Sequence, residues 1–133
     1  ESHRRRSIYF MIKRSRLIPI MQVFDQPEPL VSQGSRPSTT IAPQALLFMN
    51  NPQVVKWAHG LAQNLDASQP DEAIRQLYLR TLTREPTLAE LTNSRAFFDS
   101  QSTSYSKEKN AAQLALADLC QVMLSLNEFI YLP

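Results

Sequence analysis

The sequence predicts a mainly α protein: a small bundle of four to five helices behind an extended basic N-terminal arm or short strand. Three observations point there. After residue 41, apolar residues recur at intervals of three and four. Helix-start signals precede most of these runs. Two glycines against nine prolines leave few left-handed tight turns for a meander of hairpins, and the prolines fall mostly between apolar runs.

The 133 residues are enough for one domain with a hydrophobic core. We read 1–40 as arm, strand-like segment and Pro-rich loop, and 41–133 as helical body. "SIYFMIK", Ser7 to Lys13, is rich in β-branched and aromatic residues and reads as a strand that needs a partner. In "LIPIMQVFD", Pro19 and the apolar cluster after it fit a short helical turn, and Gln26 to Thr40 read as a loop.

Pro43 fits a helix first turn, so a helix is expected from about Ala42 to Met49. Thr39 and Thr40 offer it hydroxyls, and Asn50 would close it in a left-handed conformation. Asn51 would cap the next helix with Pro52 at its first position. Val54, Ala58, Leu61 and Leu65 form that helix's face, and Gly60 weakens it or admits a close neighbour. A helix over about Pro70 to Leu82, with Ile74, Leu77, Tyr78 and Leu82 on its face, carries Asp71 and Glu72 in its first turn, where the dipole favours acids. Thr87 with Glu90 reads as a capping box; its helix should reach Ser100 and bury Leu88, Leu91 and Phe97 or Phe98. "QSTSYS" reads as a loop. A last helix is expected from about Lys107 to Phe129, apolar on most of its circumference and so central or covered.

Charge is asymmetric. Residues 1–24 hold six Lys/Arg against one acid, or +5; residues 25–133 hold eight against eleven, or −3. The arm therefore lies on its own acidic body, is solvated, or meets an external anionic partner. Arg4, Arg5, Arg6, Lys13, Arg14 and Arg16 flank Ile8 and Phe10, an interleaving that also occurs in nucleic-acid arms. We favour an edge guarded by charges, because an acidic body repels a phosphate backbone.

Chemistry has little to stand on. His3, His59 and Cys120 do not share helical spacing and the acids are scattered, so neither a metal nor another cofactor is expected. One cysteine excludes an internal disulfide, and its leucine and methionine neighbours make it a small buried hydrophobe. There is no haem-attachment pattern and no phosphate loop. "RRRSIYFMI" has too short an apolar run for a signal peptide, and no stretch reaches transmembrane length. The start "ESHRRR" reads as that of a fragment of a longer protein. Asn127 and Glu128, after an apolar helix, are read as satisfying backbone groups at its end or in a neighbouring loop.

"RRRSIYFMIKRSRLIPIMQVFDQPEP", "STTIAPQALLFMNNP", "YLRTLTREPTLAEL" and "ALADLCQVMLSLNEFIYL" resemble, in order and over nearly the whole chain, the C-terminal part of a planctomycete domain of unknown function. That domain sits in large exported proteins beside a cytochrome-c-like domain. The resemblance implies an exported, periplasmic accessory module with no established catalytic residues, any haem belonging to another domain. Gln33 and Gly34 stand where relatives often carry a cysteine, so a thiol role there is lost. Thr39, Thr40, Pro43, Gln44 and Asn50 then form the joint by which arm and loop enter the helical body. The expected function is a non-catalytic interaction module whose partners are other domains of its parent. One alternative is part of an enzyme, for instance on polysaccharides, using His59 or Glu128 with upstream residues. The other is nucleic-acid binding through the arm.

Overall fold

The computed structural model describes residues 9, 11, 13, 18–26, 34 and 42–131. Seven helices occur among them: α1 (Pro19–Val23), α2 (Ala42–Asn50), α3 (Pro52–Ala62), α4 (Pro70–Leu82), α5 (Leu88–Ser104), α6 (Ala111–Leu124) and α7 (Asn127–Ile130). The protein is mainly helical, as its periodicity predicts, and five of the helices have nine residues or more. The strand expected over 7–13 lies largely outside the described residues; Tyr9, Met11 and Lys13, which are described, are exposed. The chain divides into two compact units, residues 1–44 and 45–133.

In the first unit, Pro19 opens α1 from an extended Ile18. α1 closes with Asp25 left-handed at φ 54°, Asp25 N–H donating to Gln22 O and Gln26 N–H to Met21 O.

In the second unit, α6 is the central helix. Ala115, Leu116, Ala117, Leu119, Cys120 and Met123 are buried on it, and it packs most extensively on α3 and α5 and less on α4. Against it lie Ala58 and Ala62 of α3, Ile74, Leu77 and Tyr78 of α4, and Phe98 of α5. The small residues let helix backbones approach while the leucines fill the space between them. Burial pushes the Cys120 thiol up to about 12, so at neutral pH it is a hydrophobic group rather than a nucleophile.

Local signals explain the helix starts. Asn51 caps α3 with its side-chain oxygen 2.8 Å from Gln53 N, and Pro52 follows. Thr87 and Glu90 form the predicted capping box: Thr87 Oγ1 accepts from Glu90 N–H at 3.3 Å, and a Glu90 oxygen accepts from Thr87 N–H at 2.7 Å. Thr87→Ala is therefore expected to lower stability by about 1 kcal/mol. An unchanged urea midpoint would show that the cap contributes nothing.

The structure corrects four expectations and removes one of the two readings of Gly60. Asn50 is not left-handed; Asp25 and Thr83 are the non-glycine residues with positive φ among those described. A left-handed cap is not needed there because Gln121 on α6 donates its amide to Phe48 O and Met49 O, at 3.1 and 2.9 Å. Gly60 is exposed, and a Cβ would meet nothing within 4 Å, so no neighbour approaches it closely. Leu88 is 82% exposed rather than buried. It occupies the first position of α5, which points away from the core while Leu91 and Phe98 point in. α5 runs on to Ser104, taking in most of the expected loop, with Thr103 and Ser104 hydroxyls bonded to the carbonyls of Asp99 and Ser100. The last helix is shorter at both ends and is interrupted at Ser125 and Leu126 before α7.

Candidate functional site

A cluster of charged residues in the helical body joins the end of α4, the start of α5 and α7. α4 ends on Thr83, left-handed at φ 58° with its N–H on Leu79 O, and this turns the chain so that Arg84 faces the start of α5. A β-branched residue in that conformation is strained.

Arg84 is held from two sides. Its NH1 and NH2 groups donate to the two oxygens of Glu90 at 2.9 and 2.7 Å. Its Nε and NH2 groups donate to the two oxygens of Glu128, on α7, at 2.6 and 2.8 Å. NH1 also reaches Glu85 O at 3.2 Å, and the guanidinium carbon stands 5.5 Å from the centre of the Tyr78 ring. All five donors of the fork thus point at oxygens, which a lysine could not reproduce.

The same geometry sets the acidities. Hydrogen bonds from Arg84, then from the Thr87 backbone and hydroxyl, hold the Glu90 carboxyl down at about 2, and Arg84 lowers that of Glu128. Because the folded value for Glu90 lies below its ordinary 4.5, its contribution to stability is fully present above that pH. It is lost as the pH falls towards 2. The groups are a third to a half exposed, so salt screens the pairs. Two carboxylates kept ionised by one guanidinium make poor proton donors near neutral pH. The arrangement acts as a clamp joining the end of α4, the cap of α5 and α7.

Other long-range polar bonds are also ties between helices. Gln113 donates to Ala62 O, the last carbonyl of α3, at 2.7 Å. Tyr105 OH donates to Asp118 at 2.9 Å, fastening the end of α5 to α6. Arg95 joins Asp71 at the start of α4 to Asp99 on its own helix.

Among the described residues, those singled out from the sequence are not brought together as one site. Arg4, Arg5, Arg6, Ile8, Phe10, Arg14, Arg16, Thr39 and Thr40 lie outside the described residues. Lys13 and Pro43 are exposed. Gln44 is 3% exposed, and its amide donates to Val23 O at 2.8 Å, a tie from α2 to the end of α1. Asn127 and Glu128 are exposed, and Glu128 meets a side chain rather than a backbone group. His59 is exposed on α3. Sequence reasoning missed Arg84 as the hub, since its partners stand six and 44 residues away. It also missed Gln113 and Gln121. Isolated amides on an otherwise apolar helix are a usable signal, because a buried amide needs a partner.

Among the described residues, no group of three or more His, Cys, Asp or Glu side chains could hold a metal ion. Nor is any helix among them long and apolar enough to cross a membrane.

No curated protein and no solved structure matches the chain. Residues 1–98 match the family described as PSD1, protein of unknown function (DUF1553). That match takes in α1 to α4 and the first part of α5, and stops before the central helix α6. Of the resemblance read over nearly the whole chain, the part that this match supports is a domain of unknown function over residues 1–98. With that share of its length covered, the chain belongs to the DUF1553 family.

Proposed function

We propose that the chain is a non-catalytic helical interaction module of an exported multidomain planctomycete protein, whose other parts include a cytochrome-c-like domain. The exported setting and the haem-bearing neighbour rest on the sequence resemblance. The arm and loop, 1–40, and the body, 41–133, are the two functional parts, and the partners are other domains of the parent.

The observation that carries this reading is the apolar surface of α2 and α3. Leu46 is 54% exposed, Met49 62% and Trp57 53%. Leu46 and Met49 stand three residues apart on one side of α2, and a half-exposed tryptophan is a frequent anchor in protein interfaces. The Arg84 clamp supports it too, since its carboxylates are engaged in holding helices together. In the arm, an apolar Ile8 to Ile12 gains by pairing with another edge, with the cations guarding the free side.

The test is capture of an upstream fragment of the parent chain. Leu46→Ser with Trp57→Ala should weaken capture by about tenfold or more with little change in melting temperature. Ile8→Ser with Phe10→Ser should weaken it more than Arg4→Gln with Arg5→Gln. The reading fails if the arginine pair matters most, or if duplex DNA binds at physiological salt and is lost with the arginines.

A further inference from the structure

The residues from about Lys107 to Phe129 read as one helix, apolar on most of its circumference, yet the structure breaks it. The break carries one mild local cause: Ser125 Oγ donates to Gln121 O at 2.8 Å, a back-bond that loosens and bends a helix without ending it. "MLSLNEFIY", Met123 to Tyr131, contains neither glycine nor proline. Ser125 is still in a right-handed helical conformation, and a single residue, Leu126 at φ −69° and ψ 141°, is extended. Leu126 stands at the N-cap of α7 without a side-chain hydrogen bond to offer, so α7 begins uncapped. Four residues are too few to hold as a helix alone. What holds α7 in place is tertiary: packing on α4 and α6, and the double hydrogen bond of Glu128 to Arg84.

The backbone at Ser125 and Leu126, whose N–H groups donate to Val122 O and Met123 O, is thus only weakly specified by the local residues, and the tertiary contacts decide it. We propose that α6 and α7 are a two-state element. In the docked state Glu128 engages Arg84 and the helix is bent at Leu126. In the released state Leu126 turns helical and α6 runs on through residue 130. The amides of residues 127 and 128 would then find acceptors four residues back, on Met123 and Leu124. Arg84 keeps its Glu90 partner in both states, so release leaves the α5 cap intact. It frees the Nε side of the guanidinium, which in the docked state faces Glu128.

Backbone geometry supplies variants that push in opposite directions. Glu128→Gln weakens the pair while leaving helix propensity nearly unchanged. Asn127→Pro blocks the continuous helix, because residue 127 would lose its N–H and its ring would meet the carbonyl of Met123. It suits the bent form, where residue 127 is the first of α7 and the preceding Leu126 is already extended.

The experiment is amide exchange and backbone carbon shifts by NMR on the full chain. In Glu128→Gln, the amides of residues 127 and 128 should exchange roughly tenfold slower than in the parent, with Leu126 shifts moving to helical values. Adding Asn127→Pro should return Leu126 to extended shifts. If residues 126–131 instead move to random-coil shifts and fast exchange in Glu128→Gln, the segment merely frays and the proposal is overturned. Unchanged shifts and rates would overturn it equally, by showing that the pair does not hold the bend.

Discussion

A chain cut after Phe98 is expected to show no cooperative thermal transition, although the family match extends that far and no further. The cut removes α6, against which α3, α4 and α5 all pack. Leu116, Leu119 and Met123 are each 2% exposed or less, and burying three such side chains is worth about 5 to 9 kcal/mol. That is comparable with the whole stability of a small domain, about 5 to 15 kcal/mol. The cut also strips Gln113 and Gln121 from the carbonyls that end α3 and α2, and Glu128 from Arg84. The fragment would keep four helices and the first part of α5 but lose the main surface that buries their apolar faces, so its ellipticity should fall smoothly with temperature. A sigmoidal melt for residues 1–98, at a midpoint near that of the full chain, would mean that α6 is peripheral to the fold.

Leu116→Ala should cost about 3 kcal/mol and lower the melting temperature by roughly 10 °C or more, while Leu88→Ala should stay within about 0.5 kcal/mol of the parent. Both leucines sit on predicted helices, and Leu88 was expected to be buried. Leu116 is fully buried in the middle of α6, so its truncation leaves a cavity that well-packed neighbours close only in part. Leu88 opens α5 and is mostly in water. Urea unfolding of the two variants, with an unchanged denaturant slope, gives the comparison directly. Equal losses at the two positions would show that the start of α5 is covered.

Helix type and position were written locally. The signals at Asn51–Pro52, Pro70 and Thr87–Glu90 each involve residues within one turn of the chain, and the structure places α3, α4 and α5 at these starts. The buried face of α3 and α4 was legible for the same reason: Val54 and Ala58, and Ile74, Leu77 and Tyr78, recur with the helical period. The candidate site was hardly legible. Glu90 was recognised as a cap, but the meeting of Arg84 with Glu128 joins residues 44 apart, and no spacing rule reaches that far.

By itself, then, the sequence determined the fold class, most of the helix starts, the hydrophobic character of Cys120 and the lack of spacing for a metal or phosphate motif. Only the tertiary structure decided that α2 ends without a left-handed residue, that α5 continues through Ser104, and that the last helix bends at Leu126. In each case the deciding partner is remote or the competing local preference is weak. Gln121 reaches the carbonyls of α2 from more than 70 residues away. Tyr105 meets Asp118 on the next helix. Arg84 holds Glu128, 44 residues on, in the short helix that follows the bend. Local propensity differs by only about a kcal/mol per residue between conformations, so one well-placed charge-assisted contact with its surrounding packing is enough to choose between them.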